Sequence, residues 1–252
     1  MTATGKERLL YQFPLSHYCE KTRWNLDYKK LSYRKTDMMP GAHAFTAWRI
    51  SRQRMLPILR DGGSCIADST RIALYLEERY PDIALLPSDT EQRRHVLELE
   101  DFFDELGVHV RRCVWSLAVD SPAVADIFFR EYAGLMRWTG NTGKTVLRQM
   151  IRRTFDVFPE QVARSWPVVF AGMSRLEQTL QGSPDHYLVG SRFTLADLTA
   201  AAMLAPLIGP EQSPWPDRHI DDAGTAERTQ LRATLTSQWV QNMYQRHRNL
   251  PA

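Results

Sequence analysis

Ser16 and Cys19 stand three residues apart at the head of a segment with helical patterning, just after the short apolar run Leu9-Leu10-Tyr11. The unpaired backbone N–H groups and the dipole of a helix start favour a nearby anion, and a thiolate is an anion. A Ser hydroxyl at that place can donate to a sulfur, and a Cys can supply the sulfur itself. Both residues also admit a plainer reading. A Ser before a helix often serves only as its N-cap. A Cys one turn in more often faces the core and is inert. Asp68-Ser69 poses the same choice, because Ser is a good cap and an acidic residue at a helix start suits the dipole. Pro57 precedes the strand-like Ile58-Leu59-Arg60. Cys65 and Cys113 read as core residues, one in a strand and one in a helix.

The elements that must position these residues follow from apolar periodicity and turn chemistry. Strands are predicted at Leu9 to Phe13, Leu31 to Met38, Pro57 to Arg60 and Ser64 to Ala67, with Asp61-Gly62-Gly63 as a hairpin signal between the last two. Helices are predicted from His17 to Lys30, around Ala42 to Arg49, and from a Ser69 cap to a stop before Pro81. Beyond Pro87 strand signals nearly vanish. Ser88 with Glu91 reads as a capping box opening a long helix to about Val119. Further helices are expected at Pro122 to Trp138, Val146 to Phe155 and Pro159 to Leu180. Thr194 and Asp197 open another, to about Leu207, and Leu231 to Arg248 reads as one final helix. Gly209 to Gly224 reads as a loop.

Composition narrows the function classes. A chain of 252 residues with 43% hydrophobic and 24% charged residues has enough apolar material for one large or two small globular units. A net charge of +3 is too small to be a nucleic-acid footprint by itself. Three Cys do not form a disulfide framework and suit a reducing compartment. Met1 to Arg8 lacks a signal-peptide core, and no apolar stretch is long enough to span a bilayer, so a cytoplasmic protein is expected. The His residues show no metal-ligand spacing, and none is expected to hold a metal. Gly140 to Thr145 resembles a phosphate loop only in part, since the first Gly would fall at Trp138 and no strand precedes it. Arg111-Arg112 and Arg152-Arg153 read as exposed helix faces, with attraction of an acidic substrate as the alternative.

Several segments together resemble one family. Ser16-His17-Tyr18-Cys19-Glu20-Lys21-Thr22-Arg23 resembles the helix start of its omega-like and related Ser classes. Met55-Leu56-Pro57 resembles the step before its third strand, where it has a cis proline. Ile66 to Ile72 resembles its I-x-E/Q-S-x-A-I stretch, with Asp68 as a shorter variant. Leu74-Tyr75-Leu76, Tyr80-Pro81 and Leu86-Pro87 follow in its order. Phe193-Thr194-Leu195-Ala196-Asp197 resembles the buried capping motif of its helical domain, and Trp239 to Tyr244 a common last helix. The chain thus looks like a member of the glutathione transferase superfamily.

That resemblance implies an α/β thioredoxin-like N-terminal domain at 1–81, a linker at 82–87, and an all-α C-terminal helical domain at 88–252 that forms the electrophile pocket. It implies glutathione as co-substrate, an apolar electrophile as partner and a homodimer. Ser16 would donate to the glutathione sulfur. The Leu56 backbone, ahead of Pro57, would pair with the cysteinyl part as an added strand does. Ser69 would hold the γ-glutamyl carboxylate and Asp68 its ammonium. Where many members carry an Asn-Pro…Gly-Lys loop, this chain has Arg49 to Arg54, so His43, Arg49 or Arg54 would take the glycyl carboxylate. Phe102, Leu106, His109, Val110 and Cys113 are the candidate pocket lining, although a stripe at that spacing is more often core. The reactions open to such a site are conjugation, ether or halide displacement, peroxide reduction and isomerisation. The rivals are a regulatory protein on the same fold that ignores the thiol site, and a thiol reductase using Cys19.

Overall fold

The computed structural model describes residues 8–38, 43–121, 133–216 and 222–248, with the backbone alone at 133–141, 222–225 and 227. The first layer is built from β1 (Arg8–Gln12), α1 (His17–Tyr28), β2 (Arg34–Asp37), α2 (His43–Ser51), β3 (Ile58–Asp61), β4 (Ser64–Ala67) and α3 (Ser69–Arg79). The strands form one sheet in the order β2-β1-β3-β4. β1 runs parallel to β2 and antiparallel to β3, and β4 returns antiparallel through the predicted hairpin. Alternation along the strands sorts two small cores. Leu10 and Leu59 pack with Leu26, Ile72 and Leu76, while Ile58 and Ala67 pack with Cys19, Ala47 and Leu56. α1 ends in a Schellman motif without glycine: Lys30 takes φ 55°, its N–H reaches Asp27 O at 2.9 Å, and Leu31 N–H reaches Leu26 O at 2.9 Å.

The second layer is helical: α4 (Thr90–Ala118), α5 (Ala133–Thr154), α6 (Pro159–Leu180), α7 (Leu195–Ile208), α8 (Asp222–Leu231) and α9 (Leu235–His247). Every residue of α7 is buried, because α1, α4, α8 and α9 all pack around it. The predicted cap at its start forms. Asp197 Oδ2 accepts from the Thr194 N–H and hydroxyl, and Oδ1 accepts from the Leu188 N–H at 2.7 Å. The layers are tied at the segment between them. The Glu77 carboxylate pairs with Lys29 at 2.6 Å and accepts from the Leu85 and Leu86 N–H groups, and Leu85 O accepts from Leu195 N–H at 2.9 Å.

Several sequence expectations are corrected. The cap of α3 is Asp68, not Ser69: its carboxylate accepts from Arg71 N–H at 3.0 Å, and Ser69 is the first helical residue. α4 is capped by Asp89, whose carboxylate accepts from Gln92 N–H at 2.8 Å, so the Ser88–Glu91 box does not form. The helix expected from Val146 begins at Ala133, and Gly140 to Thr145 lie inside it. The part of the Pro122 to Trp138 helix before residue 133 lies outside the described residues. The last helix, expected from Leu231, begins at Leu235, where Thr234 accepts from Ser237 N–H at 3.1 Å and opens α9; α8 is a further helix that begins within the expected loop. Cys65 is exposed, because β4 is the edge of the sheet.

Candidate functional site

A cavity of about 570 Å³ opens between the loops of the sheet layer and helices α4 and α5. Ser16, His43, Arg54, Leu56, Pro57, Asp68 and Ser69 all line it, although they come from four separate stretches of sequence. Arg49 does not; it is exposed and lies over the ring of Phe45, 5.8 Å from its centroid.

Ser16 is the N-cap of α1, with its hydroxyl oxygen accepting from Cys19 N–H at 3.2 Å. The cap uses an oxygen lone pair, so the hydroxyl proton stays available to donate to an anion. The structural and chemical readings of Ser16 are therefore compatible. Cys19 is fully buried, its sulfur accepting from Phe13 N–H at 3.5 Å, and burial pushes its thiol above the ordinary range. It does not line the cavity and is a poor thiolate. Cys113 is buried in the helical core, where burial pushes its thiol up to about 12.

The Leu56–Pro57 peptide is cis. β3 pairing begins at Ile58, and among the described residues nothing hydrogen-bonds to the Leu56 backbone. Asp68 N–H donates to Pro57 O at 3.2 Å, which joins the two binding candidates. Asp68 is exposed and sits at φ 84° and ψ 133°, a conformation costly for a residue with a Cβ. Ser69 is buried, and its hydroxyl lies 3.5 Å from Asp104 Oδ1, too far for a strong bond. His43 packs edge-on against Phe13, with centroids 4.7 Å apart.

The helical wall is not the predicted one. Leu106, Val110 and Cys113 are buried in the core between helices. His109 turns to Ser165 on α6, its Nδ1 3.1 Å from the hydroxyl, and Phe102 lies under Arg175. The cavity instead meets Asp104, Val108, Arg111 and Trp115, successive positions along another face of α4, together with Met150, Ile151 and Phe155. The strong apolar period of α4 marked its core face and masked this one. Behind Asp104 sits a buried cluster. Lys21 Nζ reaches Asp104 Oδ1 at 2.6 Å and Thr70 Oγ1 at 2.9 Å and pairs with Glu100, so α1, α3 and α4 are clamped behind Ser69.

His17 and Tyr18, next to Ser16, also face the cavity. His17 Nε2–H donates to Gly107 O at 3.1 Å. Burial lowers its pKa to about 3, with the nearby Arg111 charge adding to the shift, so the ring is neutral near pH 7. Tyr18 donates to Asp104 O at 2.9 Å, and burial raises its pKa well above the usual range. Gly107 permits this approach: a Cβ there would stand 2.6 Å from Met203 Sδ and 3.0 Å from Tyr18 Oη. Trp215 fixes the loop from below by donating its indole N–H to Leu15 O at 2.7 Å, and its ring meets Trp115 edge-on at 5.5 Å.

A four-stranded mixed sheet with the strand order found here, followed by a helical layer built on a capped central helix, defines a thioredoxin-like unit joined to an all-α unit. Residues 10–86 match the family described as "Glutathione S-transferase, N-terminal domain", and residues 159–225 match "Glutathione S-transferase, C-terminal domain". The chain belongs to the glutathione transferase superfamily. Glutathione S-transferase 1 of Dianthus caryophyllus is 36% identical over 87 residues, which are 33% of this chain and 39% of that one. The chain thus spans about two fifths of the length of the curated relatives it matches. Among solved structures, the β-etherase LigF of Sphingobium is similar at a TM-score of 0.62 and 22% identity, over 94% of this chain and 98% of that one. A glutathione S-transferase of Methylobacterium radiotolerans, in complex with glutathione sulfonate, is similar at a TM-score of 0.57 and 21% identity, over 92% of each.

Proposed function

We propose that this chain is a glutathione-dependent transferase of the Ser type, which stabilises the glutathione thiolate with Ser16 and directs it at an apolar electrophile. The observation that carries the proposal is the convergence on one cavity wall of Ser16, the unpaired Leu56 backbone and Asp68-Ser69. The residues present fit the tripeptide: Asp68 offers an exposed carboxylate for its ammonium, Ser69 an ill-satisfied hydroxyl for the γ-glutamyl carboxylate, and His43 or Arg54 positive or hydrogen-bonding reach for the glycyl end. The cavity volume lies in the range of small-molecule sites.

Glutathione supplies the nucleophilic sulfur. Ser16 donates its free proton to that sulfur and favours the thiolate over the thiol. His17, whose pKa burial lowers to about 3, is too weak a base to hold the thiol proton near pH 7 and carries no charge to pair with the thiolate. Met150, Ile151 and Phe155 give the opposite wall its apolar character. Conjugation, displacement, peroxide reduction and isomerisation all draw on the same thiolate. Dimerisation and a cytoplasmic setting complete the proposal; the absence of a disulfide among the three Cys agrees with the latter. Among the described residues no helix is long and apolar enough to cross a membrane.

The test is a glutathione titration with wild type, Ser16→Ala and Cys19→Ala, followed by turnover of a reactive aryl halide. Ser16→Ala is expected to lower kcat by about 10²-fold, as does removal of one donor from developing negative charge, while Cys19→Ala keeps turnover. Absence of glutathione binding in wild type would sink the proposal. Loss of turnover in Cys19→Ala with normal turnover in Ser16→Ala would favour the reductase.

A further inference from the structure

Arg111 is a partly buried guanidinium at the cavity wall without a carboxylate. Its Cζ lies 4.7 Å from the centroid of Phe155 and 5.6 Å from that of Tyr18, and its Nε is buried without a hydrogen-bond partner. Among the described residues it makes no hydrogen bond and no ion pair. The two carboxylates whose fields reach it are engaged elsewhere. Asp104 pairs with Lys21 at 2.6 Å, and Asp156 pairs with Arg112 at 3.6 Å. Aromatic faces offset part of the cost of burying a cation but do not replace an anion.

Other withdrawn guanidinium groups each have at least one hydrogen-bond or ion-pair partner within the fold, although Arg112 Nε, like Arg111 Nε, is buried without one. Arg23 and Arg248 share Glu20, Arg228 donates to Pro206 O, and Arg112 donates to Ser165. Arg111 differs in facing the cavity.

We propose that Arg111 is the specificity-determining residue of the electrophile's half of the cavity, and that the electrophile is an aromatic or otherwise apolar molecule bearing a carboxylate. Among the described residues lining that half, Arg111 is the one cation, so it matches a single negative charge; a dianion would remain half-compensated. Its planar fork suits a carboxylate, and Trp115, Met150 and Ile151 suit an apolar body. The inference deepens the function proposed above and rests on its assignment of this half of the cavity to the electrophile.

The test is calorimetric titration at pH 7 of naphthoate and of its uncharged isostere naphthamide into wild type, Arg111→Met and Arg111→Lys. Wild type is expected to bind the carboxylate at least about tenfold more tightly than the amide, as a charge-assisted pair provides. Arg111→Met should bring that ratio to about one, and Arg111→Lys should restore part of it. Equal binding of the two probes by wild type overturns the inference, as does a preference that survives in Arg111→Met. The readout needs no thiol, so a preference found in a chain that does not bind glutathione would uphold Arg111 while removing the transferase reading.

Discussion

Arg248 and Arg111 are two guanidinium groups at the junction of the sheet layer and the helices, and the fold treats them differently. Arg248, just past the end of α9, sends Nε to Glu20 at 2.7 Å and Nη1 to Asp27 at 2.7 Å, while Arg23 holds the other Glu20 oxygen at 2.8 Å. These charges raise the Arg248 pKa despite burial, and Arg248 and Arg23 together hold the Glu20 carboxylate below its usual range. Arg111 has no such partner, and burial lowers its pKa. One junction is closed by the protein's own charges. The other leaves a charge for something that enters the cavity.

The largest effect expected from breaking this contrast is at Glu20. Glu20→Ala leaves Arg23 and Arg248 buried without their shared carboxylate, and urea unfolding should show a loss of about 3–5 kcal/mol. An unchanged midpoint would mean that the network stabilises nothing.

The next effect belongs to His17, beside Arg111. Its pKa falls from 6.5 in the unfolded chain to about 3 in the folded one, so between those values the unfolded state binds the extra proton. Its contribution is complete above the upper value and is lost as pH falls through the window, at about 1.4 kcal/mol per pH unit. Asp197 opposes this slope, because burial pushes its carboxyl from 3.8 up to about 6. The informative quantity is therefore the wild-type curve minus that of His17→Gln. A flat difference would show that the ring is not held neutral.

Arg111 sharpens the comparison from the other side. Arg111→Met removes an unpaired charge from an aromatic setting, so unfolding stability should stay within about 1 kcal/mol of wild type or rise. A loss as large as that of Glu20→Ala would reveal a partner inside the fold. The smallest effect is expected at Cys19, where Cys19→Ala should keep turnover within about twofold of wild type.

The N-terminal layer was legible because its punctuation is local. Asp61-Gly62-Gly63, Pro57 and Pro81 bound short apolar runs, and the hairpin and α3 lie between them as predicted. Ser16, Leu56-Pro57 and Asp68-Ser69 were legible through their order along the chain, and the cavity brings them together. The α4 wall was not. Leu106, Val110 and Cys113 have the strongest period, and they go to the core because the interior competes hardest for apolar surface. Asp104 and Arg111 resemble solvent-facing charges until Lys21, Tyr18 and Phe155 are seen against them. The break before α9 has neither Gly nor Pro; Thr234 makes it by capping, a role shared by many Thr that interrupt nothing.

The contact between Trp115 and Trp215 gives the site an optical handle. Trp115 is part of the cavity wall, and Trp215 is bonded to the residue before Ser16. A ligand entering the half lined by Trp115 therefore changes the surroundings of an indole without any added label. The emission of this pair should report occupancy on the timescale of mixing, and Trp115→Phe would separate its signal from that of the other indoles. In the proposed transferase reaction, arrival of the electrophile then becomes visible before any product forms.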